Sequence, residues 1–389
     1  TTFLERQGYF GGRVECFNIG YVGQEGYFIL DVNSLYPFVM SKTETPIKLK
    51  YVRQNTPKPF LSNLLKKYCL VAEVELQTEE PLYPFTQNNK LIFPIGRFWT
   101  VLATPELKIA KQRGHIKSLG RVAVYEKAIL FKDFVNYFYN VRQQYKQRGN
   151  KVFSQMSKLI SNSLYGKFGQ QAERWKEVPY DGRFIEGEVR VKDSSGFMVK
   201  RLVMVAGKCF EIVRGGESKN SFPAIAAHIT SAARVHLWKL IEKAAVENVF
   251  YSDTDSLIVN AKGYQNLSRE INDNKLGKLK LEYQSNRLII RGPKDYRTDK
   301  FTKRKGIRSS AKKIAHNTFT QELWPGLRSL IRKGQTSHYT ISNITKHLSD
   351  QYTKGTVNPS GRTNPFRMDG ERSRKNVLSP SYSSSSPSS

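Results

Sequence analysis

Long apolar runs, cysteines and acidic side chains are all scarce in this 389-residue chain, and each shortage closes off a class of answers. No stretch of 18 or more consecutive apolar residues occurs, so no membrane-spanning helix and no membrane partner is expected. The three cysteines, Cys16, Cys69 and Cys209, stand far apart with no His or Cys neighbour at metal-ligand spacing. That excludes a disulfide framework or a zinc ribbon and points to a reducing compartment. The opening Thr-Thr-Phe-Leu-Glu has no initiator Met and no cationic-then-apolar signal, so the chain is expected to begin inside a longer protein. Asp and Glu together number 33 against 63 Lys and Arg, a formal net charge of +30. With 39% hydrophobic and 12% aromatic residues the chain can build two or three packed units. So large a cationic surplus on a folded body calls for a polyanion, nucleic acid first, because surface cations gain affinity by releasing counterions from phosphates. Arg287 to Ser389 hold 21 Lys and Arg against 6 Asp and Glu, half of the surplus in about a quarter of the chain. The last ten residues are mostly Ser and are expected to be disordered.

Local patterns give the outline. Tyr27 to Leu30 is an aromatic and β-branched run leading into Asp31, a strand that ends in a carboxylate. Leu70 to Leu76 alternates as a second strand, and Pro46 to Pro59, with three prolines, reads as loop. Thr104-Pro105-Glu106-Leu107 supplies an N-cap, a Pro at the first helical position and an acidic first turn. Phe131 to Tyr165 is free of Pro and broken only at Gly149-Asn150, which predicts two helices joined by a tight turn. Residues 170–220 are strand-like, Pro223 to Val246 form an Ala/Ile/Leu helix bearing His228, Arg234 and His236, and Asn248 to Asn260 read as a hairpin.

Three carboxylates stand at strand ends rather than on solvated faces: Asp31, and Asp253 and Asp255 within Tyr-Ser-Asp-Thr-Asp-Ser. Extended backbone with a period of two would bring Asp253 and Asp255 to one side. Such a set suits Mg²⁺, which takes one or two carboxylates together with substrate phosphates. A lone Asp-x-Asp is also the pattern of a solvated turn and of sugar-nucleotide transferases. Further along, Lys158, Asn162 and Tyr165 recur at i, i+4 and i+7 and so share one helix face. A cation, an amide and an aromatic ring there could hold a triphosphate and pack on a nucleoside, and Lys146 on the preceding helix could add a second cation.

Asp31-Val32-Asn33-Ser34-Leu35-Tyr36-Pro37, Lys158 to Gly166 and Tyr251 to Ser256 resemble, in the right order, three motifs of family B DNA polymerases. Tyr9-Phe10-Gly11-Gly12 and Lys294-Asp295-Tyr296 resemble the Y-x-G-G and K-x-Y motifs of the protein-primed branch, and the chain is similar to polymerases of linear mitochondrial plasmids in fungi and plants. The resemblance implies an α+β fold with an antiparallel palm, helical fingers, a thumb and two insertions. Its expected borders are a linker at 1–24, palm at 25–47 and 223–286, insertions at 48–103 and 170–222, fingers at 104–169, thumb at 287–350 and a basic, then Ser-rich, tail at 351–389. It implies DNA-directed DNA synthesis in mitochondria, with primer-template DNA, deoxynucleoside triphosphates and a terminal priming protein as partners.

Two Mg²⁺ ions, or Mn²⁺, would be held by Asp31, Asp253, Asp255 and the Val32 carbonyl. Tyr36 would lie under the incoming sugar and exclude a 2′-hydroxyl, while Lys146, Lys158, Asn162 and Tyr165 would bind the nucleotide. Tyr9, Gly11, Gly12, Lys294 and Tyr296 would bind DNA. An upstream exonuclease domain does not fit in the eight residues before Tyr9, so the chain is expected to be a fragment or a decayed copy. The alternatives are a catalytically inactive nucleic-acid-binding remnant and an Asp-x-Asp glycosyltransferase, against which the Lys158 motif and the basic tail argue.

Overall fold

The aromatic and β-branched runs around the three aspartates become adjacent antiparallel strands. In the computed structural model Val14–Cys16, Val249–Asp253, Ser256–Asn260, Tyr27–Val32 and Leu279–Ser285 lie in that order in one five-stranded sheet. Residues 1–23, 26–179, 187–193, 196–205, 207–326 and 341–370 are described. They group into a unit of residues 1–169, 222–305 and 350–370, and a unit of 170–221 and 306–349. All three cysteines are buried and unpaired, and no helix among the described residues is long and apolar enough to cross a membrane.

In the first unit the helices that position the site are, in chain order, α1 (Thr2–Gly8), α2 (Leu35–Lys42), α3 (Lys58–Lys67), α4 (Thr104–Gln112), α5 (Lys132–Gln147), α6 (Lys151–Phe168) and α7 (Pro223–Ala244). The α5–α6 turn is as expected: Gly149 takes φ +70, and the Asn150 side chain accepts from the Phe153 N–H at 3.1 Å. Helix α7 starts with Pro at its first position and is buried along nearly all its length. Its apolar residues belong to one core with Leu30, Val32 and Leu257 of the aspartate sheet and with Leu70, Val74, Leu102 and Val124 of a second sheet. Truncating a fully buried residue there, such as Leu237→Ala, costs about 2–5 kcal/mol.

The second sheet orders Arg367–Asp369, Ile95–Ala103, Cys69–Thr78, Ile116–Ala128 and Thr45–Arg53, antiparallel except for the first pair. It corrects three expectations. Thr45–Arg53 is a strand, not a loop; it occupies the sheet edge, where Pro46 removes a donor without breaking an interior ladder. The expected border between insertion and fingers at 103/104 runs through the sheet, because Ile116–Ala128 pairs with both Cys69–Thr78 and Thr45–Arg53. Thr104 does not cap α4 with its side chain; its hydroxyl accepts from the Leu70 N–H at 2.6 Å and meets His228 Nε2 at 3.1 Å.

Residues 1–24 are likewise more than a linker, since Val14–Cys16 is an edge strand beside the aspartate hairpin, with Val14 opposite Asp253. The expected thumb border at 287 separates nothing, for Leu288–Gly292 and Asp295–Thr298 pair in a sheet of the first unit with Gly20–Tyr21. Residues 351–370, expected as the start of a tail, instead belong to the first unit. Arg362 donates to Asn18 Oδ1 and to the carbonyls of Val249 and Val246, and Lys354 Nζ donates to the Val14 carbonyl at 2.9 Å. The Ser-rich end lies outside the described residues.

The second unit is a four-stranded antiparallel sheet, Gln171–Val178, Lys208–Glu217, Gly196–Val205 and Gly187–Asp193, and a three-stranded sheet of Lys312–Ala315, Thr318–Leu323 and Ser342–His347.

Candidate active site

Antiparallel register gathers the aspartates at one end of the first sheet. Asp31 lies opposite Ser256 on one side and Lys280 on the other, and Asp253 pairs with Ser256 across the hairpin. The turn is tighter than a period-two reading foresees. The Asp255 N–H donates to the Asp253 carbonyl at 2.6 Å across Thr254, whose φ is +61. A β-branched residue in the left-handed region is strained and must be held by its surroundings. Here the Thr254 N–H donates to the Arg13 carbonyl at 2.6 Å, and the Val32 N–H donates to the Asp255 carbonyl at 2.7 Å.

The Y-x-G-G segment is placed against that turn. A Cβ on Gly12 would lie 2.7 Å from Thr254 Cγ2, whereas one on Gly11 would meet nothing within 4 Å, so close packing demands glycine only at position 12. The Tyr9 ring fills the space over Gly169, just past α6. Arg234 of α7 donates to the carbonyls of Phe10 and Gly11 at 2.8 and 2.9 Å and to both oxygens of Glu106. Arg13 is buried with its guanidinium 4.2 Å from the centre of the Phe93 ring and 4.5 Å from that of Trp238, paired with Glu15 at 2.5 Å.

Electrostatics identify which groups face one another. Burial first, and the charge of Asp255 second, push the Asp31 carboxyl up to about 7, with Lys158 and Lys280 opposing. Burial and Asp253 raise Asp255, opposed by Lys158 and Lys303. The charge of Lys158 on α6 therefore acts on both carboxylates from a segment more than 100 residues away from Asp31 in sequence. Tyr165 from the same helix face stacks on Tyr36 of α2, with ring centres 4.3 Å apart and planes 15° from parallel. Burial and Tyr165 hold the Tyr36 hydroxyl far above the usual phenol range. Asn162 lies half-buried on the turn between Lys158 and Tyr165.

Other positions differ from expectation. Lys146 is exposed near the end of α5, and it is Arg142, one turn earlier, that donates to Ser34 Oγ at 3.0 Å. Lys294, at φ +62, places Nζ 3.5 Å from Asp253 Oδ1 and donates its N–H to the Tyr251 hydroxyl at 2.8 Å. Tyr296 is buried with its ring against Tyr251 and Phe301, not presented to a phosphate backbone. Sequence reading missed Arg142 and Lys303; the i−4 spacing of Arg142 from Lys146 was the available signal for the first.

Among the described residues no three His, Cys, Asp or Glu side chains gather into a ready metal cage. The donor chemistry nevertheless fits a hard divalent cation: Asp31 and Asp255 are half-buried carboxylates, the first raised by the charge of Asp255 and the second by that of Asp253, the repulsion a bound cation would relieve. Val32, the fourth expected ligand, sits in register with Leu279.

Residues 5–245 match the family model for DNA polymerase type B, organellar and viral. A protein of Neurospora intermedia named as a probable DNA polymerase is 26% identical over 304 residues, covering 74% of this chain and 30% of that protein. The DNA-directed DNA polymerase of Enterobacteria phage PRD1 is 29% identical over 300 residues, covering 74% of this chain and 49% of its own length. The chain thus spans less than half the length of these relatives. The Phi29 DNA polymerase in complex with primer-template DNA superposes with a TM-score of 0.56 at 20% identity, over 77% of this chain and 51% of that one, a likeness of fold.

Proposed function

Because this chain belongs to the organellar and viral DNA polymerases of type B, we propose that it carries the polymerising centre and transfers deoxynucleotides to a primer 3′-hydroxyl under template direction. The observation that carries the reading is the convergence of Asp31, Asp255 and Lys158 beside the Tyr36–Tyr165 stack, brought together from three distant segments.

In this mechanism Asp31 and Asp255, completed by Asp253 and the Val32 carbonyl, would hold two magnesium or manganese ions. When bound, such ions supply charge stabilisation at the reacting phosphate and acidify the attacking hydroxyl. The chain's own residues do the positioning. Lys158 would neutralise the triphosphate from one side, and Arg142 with Lys146 on α5 from the other. Tyr36, braced by Tyr165, forms the floor under the sugar and leaves no room for a 2′-hydroxyl. Lys294 balances Asp253 until substrate arrives. The cationic surface supplies affinity for primer-template DNA. The match to an organellar and viral family and the similarity to fungal and phage polymerases support a priming protein as partner, a linear plasmid-like template and a mitochondrial setting.

Primer extension tests the reading. Asp31→Asn and Asp255→Asn should each lower incorporation by about a thousandfold, the scale of metal-ion charge stabilisation. Affinity for primer-template DNA should stay within about threefold, since phosphate contacts supply it. A wild-type chain that binds DNA without extending it would reduce the protein to a binding remnant.

A further inference from the structure

The strand Val14–Cys16, which lies beside the aspartate hairpin, is itself held from its outer side. Just before it the Arg13 carbonyl accepts from the Thr254 N–H at 2.6 Å, and just after it the Phe17 N–H donates to the Phe250 carbonyl at 2.9 Å. In an antiparallel ladder these bonds alternate, so the carbonyls of Val14 and Cys16 point away from the hairpin. On an edge strand such groups stay open to water or to another chain. Here residues 351–370 close them: Lys354 Nζ donates to the Val14 carbonyl at 2.9 Å, and the Thr363 hydroxyl donates to the Cys16 carbonyl at 2.6 Å. The Thr363 N–H adds a bond to the Phe17 carbonyl at 3.0 Å, and the Ile19 N–H donates to the Gly361 carbonyl at 2.7 Å. Thr363 lies within a small hairpin, Thr356–Val357 against Thr363–Asn364, and Lys354 stands two residues before it, so the two donors belong to one piece.

The place of the Lys354 bond gives it a task. A half-buried ammonium on a backbone carbonyl makes a charge-assisted bond, stronger than a neutral one. The carbonyl it holds belongs to Val14, which stands opposite Asp253 and directly follows Arg13. Thr254, β-branched at φ +61, keeps its strained conformation only while the Arg13 carbonyl stays in place. We propose that Lys354, aided by Thr363, is a positioning residue for the metal-binding carboxylates. It pins the edge strand, the strand pins the Thr254 turn, and the turn sets where Asp253 and Asp255 point. The metal-binding part of this inference rests on the polymerase reading; the fastening of the turn does not.

Hydrogen exchange followed by mass spectrometry, on the full chain without metal or nucleotide, reads the turn directly. Lys354→Met should speed exchange in the peptide covering Tyr251 to Ser256 by about tenfold, the scale of one lost bond from a charged donor, while peptides of α7 stay within about twofold. Thr363→Val keeps the side-chain shape and should speed it by about threefold, the scale of one neutral bond. Lys354→Arg keeps a charged donor and should restore the protection. Arg367→Ala breaks an exposed pair with Glu79 farther along the same segment and should leave the turn as it is in the wild type. Titration with Mn²⁺ alone, read from the free-ion electron paramagnetic resonance signal, should show Lys354→Met binding about tenfold more weakly, the low end of what a lost outer support costs a metal site. Lys354→Arg should bind close to the wild type. The proposal is overturned if exchange in Lys354→Met rises equally throughout the chain, if it rises nowhere, or if the turn loosens and Mn²⁺ binding does not change. A wild type that binds Mn²⁺ and extends a primer while its turn ignores Lys354 sinks this inference alone. A wild type that neither binds Mn²⁺ nor extends a primer sinks the polymerase reading, and the positioning of metal ligands with it.

Discussion

The two walls of the candidate site are built on opposite principles. At the sheet end, polar groups are buried and fastened: Arg234 and Glu106 are 2% and 1% exposed and paired, and Thr254 is held in a strained conformation by the Arg13 carbonyl. On the helical hairpin, α5 buries only Val135, and α6 only Ser157 and Ser161. Among the described residues no side-chain hydrogen bond or ion pair holds the ammonium group of Lys146 or Lys158. On the proposed function the difference is one of task. Carboxylates that must present a fixed array need a rigid, over-determined frame, whereas cations that follow a triphosphate through its reaction work best on long stems that settle only when ligand arrives. Changes to the sheet wall should therefore appear first in folding, and changes to the hairpin wall in ligand affinity.

The sharpest attempt to break this contrast is Arg234→Met. It leaves Glu106 buried without its partner and releases the Phe10 and Gly11 carbonyls. Stripping one member from a buried pair costs about 3–5 kcal/mol. For a unit of this size the melting temperature should fall on the order of 10 °C, and Arg234→Met/Glu106→Leu should recover much of it. If unfolding is unmoved and only nucleotide KM rises, the sheet wall is not the rigid one.

Next in size is a pH effect from His228, also on α7. Its Nδ1 lies 2.7 Å from the Ala224 carbonyl, which can only accept, so Nδ1 carries the proton and Nε2 accepts from Thr104. Burial, with a smaller push from Lys108, pulls its pKa down to about 4 from an ordinary 6.5. Above the unfolded value both states are neutral and the stability is fully present. As pH falls below it the unfolded chain takes up a proton that the folded chain refuses. Stability therefore drops by up to about 1.4 kcal/mol per pH unit until about pH 4. Denaturant titrations between those limits should show His228→Gln losing about 2–3 kcal/mol less than the wild type; parallel losses would remove His228 from the account.

What was legible in the sequence is what short spacing controls. The Asp-Thr-Asp turn, the Asp31 strand end, the i, i+4, i+7 face of Lys158, Asn162 and Tyr165 and the break at Gly149-Asn150 each depend on a few neighbouring residues. What stayed hidden depends on partners far along the chain. Pro46 signals a loop unless its strand is known to lie at an edge. Lys354 and Arg362 read as tail charge until the carbonyls of Val14, Val246 and Val249 are there to receive them. Gly12 reads as part of a DNA-binding motif, but its need for glycine comes from Thr254, 242 positions later. Lys294 and Tyr296 read as DNA contacts, whereas Lys294 pairs with Asp253 and the Tyr296 ring packs on Tyr251, since a motif fixes residue types and not which way a side chain turns.

Tyr36 belongs to both walls, and the smallest expected effect is the most discriminating. It stands on α2, behind the Asp31 strand, and its ring rests on Tyr165 of the hairpin. If the sheet wall fixes the floor of the sugar pocket, Tyr36→Phe should keep selection against ribonucleotides, because the ring and its stack remain. Tyr36→Val should relax that selection by about tenfold, near the limit of what a modest change of pocket shape achieves. The lost stack should lower stability by only about 1 kcal/mol. Competition between ribo- and deoxynucleoside triphosphates in single-nucleotide extension measures the first quantity, and thermal melting the second. Should Tyr165→Val relax selection as far as Tyr36→Val, the floor is set by the pair and hence partly by the hairpin. Should neither variant relax it, Tyr36 is a packing residue, and the division between a rigid wall and an adaptable one stops short of the sugar.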